Sequence, residues 1–168
     1  MLHRPSPDVL AGIQRRLTDD IPLARHLHFE LVGLTEQGLV MQVPFAPNRN
    51  HRGTVFGGSL AVSATLCGWS LVQLVLLQAG LEARLVIHRC TATYHTPLDQ
   101  DFEMVAAVPS TEAIERFLEM LRHRGKSRLL VRCGAHHHHT SPSDMPDAMS
   151  FEASFVALAP TFADSTAR

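Results

Sequence analysis

The sequence predicts an α+β domain in which one curved antiparallel sheet wraps around one long central helix, with short helices ahead of it. Three observations predict it. Phe29 to Thr35 and Leu39 to Phe45 are short β-rich runs joined across Glu36-Gln37-Gly38. Ser59 to about Gln78 is helix-length, mostly apolar and free of charge. From Arg84 onward alternating runs return, interrupted by one amphipathic segment. Strands, one buried helix, then more strands is the order expected of an antiparallel sheet folded over a helix. Such a sheet leaves edges open, so edge-to-edge pairing of two subunits is expected: a homodimer, with a tetramer as the larger alternative.

The elements follow in chain order. Asp8 suits the N-cap of a short helix through about Leu17, and Pro22 suits the first position of a second helical turn in PLARHLHF; together these read as a lid over the domain. Gly38 offers the positive φ of a tight hairpin, and Pro44 and Pro47 end the pairing. Gly80 is a suitable stop for the long helix. Arg84 to Thr96 reads as a strand with Val86, His88, Cys90, Ala92 and Tyr94 on one face, ended by Pro97. Asp101 to Val108 pairs next. Thr111 to Arg124 is a helix with Ile114, Phe117, Leu118 and Leu121 on one side, and Ser127 to His138 and Ser150 to Leu158 complete the sheet. The domain division is residues 1–20 as a helical extension, 21–159 as the domain and 160–168 as a disordered tail.

Composition narrows the function. With 168 residues, 45% of them hydrophobic, the chain can bury a core without disulfide or metal support. Fifteen Lys and Arg against 16 Asp and Glu give a net charge of -1, so no global field attracts nucleic acid or an anionic membrane. Cys67, Cys90 and Cys133 are odd in number and lack metal-ligand spacing, which fits reduced thiols packing as small hydrophobes in a cytoplasmic protein. Gly53 to Leu81 is long enough for a membrane span, but its glycine pair, its serines and glutamines, and Arg52 and Arg84 on both flanks favour a buried core helix.

The chemistry points to Asn48 to Leu60, NRNHRGTVFGGSL, where three glycines in six positions mark an irregular loop whose backbone comes close to something. On the helix that follows, Ser59, Ser63, Ser70 and Gln73 share one stripe at 100° per residue. Ala61, Thr65, Gly68 and Val72 share another, which is small enough for an acyl tail or, equally, for close packing on the sheet.

This loop and helix resemble the thioesterase family known as YiiD C-terminal-like, within the hot-dog-fold thioesterases. The resemblance covers about residues 20 to 159 and includes the Tyr94-His95-Thr96-Pro97 strand end and the Gly125 turn. It implies a hot-dog fold whose central helix points its N-terminus at an acyl-thioester carbonyl, with the amides at Gly57 and Gly58 stabilising the developing oxyanion. The wider pattern of Asn, Gly, His-Gly-Gly and a later acid falls here on Asn50, Gly53, Phe56, Gly57, Gly58 and Thr65, so the histidine and the acid are both replaced. Thr65 cannot activate water as a carboxylate would, and its expected catalytic part is to position water alongside His51 and Asn50. His51 is then the candidate general base and Asn50 the candidate for orienting water, against a plain solvated role for a loop histidine.

Asn48, Phe56, Ser59, Ala61, Gly68, His88 and Tyr94 are expected to line the substrate site, with Asn48 alternatively holding the loop by turn hydrogen bonds and His88 alternatively a core histidine. Arg124 and Lys126, in the cationic turn around Gly125, are expected to grip coenzyme A phosphates or an acidic carrier protein, against a solvated hairpin tip. Of His136 to His139 only alternate residues such as His136 and His138 share a strand face, too few for a metal site. The expected function is hydrolysis of acyl-coenzyme A or acyl-carrier-protein thioesters in fatty acid metabolism, without cofactor or metal. Coenzyme A or carrier-protein pantetheine enters as part of the substrate. Noncatalytic acyl-thioester binding is the alternative, and a dehydratase of the same fold ranks below both.

Overall fold

The sheet of this protein wraps one apolar helix, with five of its strands packed directly on it. The computed structural model describes residues 2–137 and 148–160. In chain order its elements are α1 (Pro7–Asp20), α2 (Pro22–Arg25), β1 (Glu30–Leu34), β2 (Leu39–Val43), α3 (Gly57–Gln78), β3 (Arg84–Tyr94), β4 (Phe102–Ala107), α4 (Thr111–Arg124), β5 (Lys126–His137) and β6 (Met149–Leu158). The six strands form a single sheet in the order β1-β2-β4-β5-β6-β3, antiparallel throughout. The predicted architecture is the observed one.

The 22-residue α3 lies against the sheet with Leu71, Val72, Leu74 and Leu76 fully buried. It is long and apolar enough to cross a membrane, yet 72% of that apolar window is inside the fold, where β2, β4, β5 and β6 pack on it. Gly68 shows how close the approach is. A Cβ there would stand 2.9 Å from the Phe155 ring of β6 and 3.5 Å from the Cys133 sulfur of β5. The β1–β2 hairpin turns on Gly38, where a side chain would overlap the Ala106 carbonyl of β4 as well as strain a positive φ.

Three expectations change. Helix α1 starts at Pro7, because the Ser6 hydroxyl accepts the Val9 amide and Pro7 needs no donor, and it runs to Asp20. Far from being a lid, it packs Leu10, Ile13 and Leu17 into the main core. Cys67 and Cys133 are buried as expected, but Cys90 is exposed. Its strand β3 is an edge: it pairs with β6 alone, and nearly all of its residues are exposed. The pairing slips between Ile87 and Arg89, leaving His88 in a bulge and breaking the simple alternation of faces. His138, His139 and the tail beyond Pro160 lie outside the described residues.

Candidate active site

The loop between β2 and α3 is held by its own asparagines. Asn48 ends a 3-10 turn, is 2% exposed, and donates through its carboxamide to the carbonyls of Leu27 at 2.9 Å and Pro44 at 2.8 Å. Its backbone carbonyl accepts the Phe56 amide at 2.8 Å, closing the loop on itself. Asn50 organises the tip. Its carboxamide oxygen accepts the Arg52 amide at 2.8 Å and the Thr54 amide at 3.3 Å, while Nδ2 donates to the Thr54 hydroxyl at 2.9 Å. Gly53 takes the positive φ that the return requires. Val55 donates to the Leu98 carbonyl at 2.7 Å, tying the loop to the segment after β3.

This loop delivers the chain to the start of α3. Phe56 is the N-cap residue and has no side-chain acceptor to offer the first turn. The amides of Gly57, Gly58 and Ser59 are left without a hydrogen-bond partner among the described residues. Such a set of N–H groups, at the positive end of the helix dipole, is suited to an anion or a developing oxyanion. Two aromatic rings flank it. Phe56, 56% exposed, lies where a side chain on Gly58 would go, and Tyr94, 53% exposed, donates its hydroxyl to the Gly57 carbonyl at 3.1 Å. The Phe56 ring thus occupies the space a Gly58 side chain would need, while a Cβ at Gly57 would only touch the Tyr94 ring.

The other sequence candidates divide. Ser59, Ala61 and Thr65 follow along the accessible part of the helix, all half-buried, and the Thr65 hydroxyl donates to the Ala61 carbonyl at 2.9 Å. His51 is exposed on the loop, with no hydrogen-bond partner among the described residues. Gly68 is buried in the sheet contact described above, and His88 is exposed at the bulge. No carboxylate occurs on α3. Arg124 and Lys126 do not join the site within one chain. Lys126 aligns through Leu158 with Arg84, at the far end of β3 from Tyr94, a separation of roughly 33 Å along the strand. His137 meets Gln100 at 2.9 Å, and among the described residues no group of three or more His, Cys, Asp or Glu is placed to hold a metal.

The Cys67 thiol is fully enclosed, with its sulfur 3.4 Å from the carbonyls of Leu39 and Met104; burial pushes its pKa well up, and the same cause brings Cys133 up to about 12. Neither thiol is available as a nucleophile. Thr54, Val55 and Leu98 support the site but were not among the residues singled out from sequence. Val55 and Leu98 act through their main chains, and Thr54 through its amide as well as its hydroxyl, which residue type alone does not announce.

Residues 10–159 match a family model described as "Putative thioesterase (yiiD_Cterm)". The match begins within α1, earlier than the loop motif indicates, in keeping with the place of α1 in the core. Among solved structures the chain is similar to a protein of unknown function from Chlorobaculum tepidum TLS, with a TM-score of 0.85 and 20% identity over 92% of this chain and 98% of that one. A Shewanella oneidensis protein described in the same words as the family gives 0.78 and 21%, over 91% and 99%. A Pseudomonas aeruginosa protein of unknown function, described as a probable thioesterase, gives 0.71 and 19%, over 93% and 98%. At these identities the likeness establishes the fold, a hot-dog.

Proposed function

The chain belongs to the thioesterase family whose model matches residues 10–159, and from that membership we propose that it hydrolyses acyl thioesters of coenzyme A or of an acyl-carrier protein at the first turn of α3. The observation that carries this reading is the set of unpartnered amides at Gly57, Gly58 and Ser59 between Phe56 and Tyr94. The thioester carbonyl oxygen lies against those amides. Water attacks the carbonyl carbon, the negative charge that builds on oxygen is held by the N–H groups, and the C–S bond breaks to give a carboxylic acid and a thiol. His51 takes the proton from water and returns one to the leaving sulfur. Asn50 acts indirectly, by holding the loop that carries His51.

The acyl chain runs from Gly57 past Ser59, Ala61 and Thr65. The functional unit in this reading is a homodimer joined through the free edge of β3. Antiparallel pairing about a two-fold axis sets the Arg84 end of one strand beside the Tyr94 end of the other, so Arg124 and Lys126 of one subunit approach the other subunit's thioester and meet its phosphates. The reduced thiols fit a cytoplasmic location. The reaction needs no cofactor beyond the pantetheine of the substrate.

The absence of a carboxylate from α3 favours one second reading, in which the site binds acyl thioesters without turning them over. A panel of acyl-coenzyme A substrates, assayed by thiol release and by ligand-induced thermal stabilisation, separates the two. Release that falls in His51→Ala supports hydrolysis as described. Stabilisation without release supports binding alone, and neither response in the wild type rejects both.

A further inference from the structure

The sheet ends in two edge strands, β1 and β3, and the chain treats them differently. β3 is eleven residues long, and apart from its pairing with β6 its main chain has no hydrogen-bond partner among the described residues. β1 is five residues long, and a glutamine from α1 is bonded to its outer side.

Gln14 is half-buried on α1. Its Nε2 donates to the Phe29 carbonyl at 3.2 Å, and its Oε1 accepts from the Leu31 amide at 2.9 Å. An amide has one hydrogen, so the Leu31 N–H points away from β2, although Leu31 lies opposite Met41 in that ladder. The two bonds flank Glu30. They take the acceptor and the donor that an added strand would need at this place, whether it ran parallel or antiparallel. The carboxamide therefore stands where a residue of a neighbouring strand would stand.

Helix α1 does not close this edge by its bulk. A groove of about 910 Å³ separates it from the strand and is lined by every residue from His28 to Thr35. Among the described residues Gln14 alone reaches across the groove to bond the strand's main chain. The register shift between Leu31 and Gly33 does not distinguish the edges, since β3 has one at His88.

The difference bears on assembly. A β1–β3 contact between copies leaves a fresh β1 and a fresh β3 at its ends, and a β1–β1 contact joins finished pairs into chains, so both propagate. Pairing of β3 with β3 about a two-fold axis uses one edge twice and closes. We propose that Gln14 ends assembly: its carboxamide caps the β1 edge and leaves β3 as the one edge through which a second copy of this chain adds. The choice of β3 rests on the homodimer of the proposed function; the capping of β1 does not.

Wild type, Gln14→Ala, Gln14→Ala/Val32→Lys and Gln14→Ala/Leu130→Lys are compared by size-exclusion chromatography with light scattering over a range of concentrations. Alanine keeps the helix and removes both bonds without adding a large apolar side chain. Val32 and Leu130 are equally exposed, at 47% and 46%, but only Val32 belongs to the β1 edge, where a lysine opposes strand addition. The wild type is expected to hold one mass at every concentration. Gln14→Ala should grow with concentration to a mean mass about twofold or more above it. Adding Val32→Lys should restore the wild-type mass, and adding Leu130→Lys should not. A wild type that stays at one chain overturns the β3 half of the proposal together with the dimer, while growth of Gln14→Ala still supports the cap. Wild-type mass for Gln14→Ala throughout, or growth that Leu130→Lys suppresses as fully as Val32→Lys, overturns the cap. Gln14→Met, which keeps the side-chain length and lacks both bonds, answers to the same outcomes if the alanine variant does not fold.

Discussion

The Tyr94 hydroxyl donates to the Gly57 carbonyl at 3.1 Å, joining the last residue of the edge strand β3 to the first residue of α3. The bond fixes the helix entry relative to the sheet. Tyr94→Phe removes the bond and keeps the ring, so a loss of about 0.5–1.5 kcal/mol in thermal or urea unfolding is expected, with weaker acyl-thioester binding. Unchanged binding would mean that the ring alone defines that wall.

Gly57 and Gly58 differ in what a methyl group would meet. At Gly57 it would contact the Tyr94 ring at an ordinary 3.5 Å, whereas at Gly58 it would overlap Phe56. Phe56 is exposed and can swing away, and alanine favours a helix over glycine by about 1 kcal/mol. Gly58→Ala should therefore keep its melting temperature while thioester binding drops roughly tenfold, about 1.4 kcal/mol. Calorimetric unfolding and ligand titration on the same sample test the split.

Asn48 is structural. Replacing it with alanine leaves the carbonyls of Leu27 and Pro44 without their donor, one of them in a buried contact, and a loss of about 2–4 kcal/mol is expected from chemical denaturation. Asn50→Ala, at the more exposed loop tip, should cost less stability and affect turnover through the placement of His51.

The thiols give a pH prediction. Cys133 is raised to about 12 and Cys67 is raised too, both chiefly by burial, while the unfolded chain ionises its thiols near 8.5. The folded state then holds protons that the unfolded state releases. Stability is unaffected below about pH 8 and falls as pH rises from there towards 12, by a few kcal/mol in rough terms. A thiol reagent at neutral pH should modify one cysteine, Cys90, in the native protein and all three after denaturation.

Much of this was legible in the sequence because the signals are local. Ser110 and Gly125 cap α4 at Thr111 and Arg124, where the sequence places its ends, with the Ser110 hydroxyl accepting the Ala113 amide and Gly125 taking a positive φ. The charge-free run of α3 and the turn at Gly38 were equally clear. The bulge at His88 was not, because a single unpaired residue leaves no mark on apolar alternation. The exposure of Cys90 depends on β3 being an edge, which is a matter of strand order. At the site, the glycines announced a close approach, but the bond from Tyr94 to Gly57 joins residues far apart in the chain. Arg124 and Lys126 were grouped with the site on charge, and within one chain strand register sets Lys126 at the opposite end of the sheet from Tyr94.

The central claim is that the first-turn amides of α3 hold a thioester carbonyl, and thiol release from a series of acyl-coenzyme A substrates by wild type and Gly58→Val tests it most directly. The account predicts turnover by the wild type, and a tenfold or greater loss in kcat/KM for a variant that melts as the wild type does. Equal turnover by the two folded proteins would contradict it.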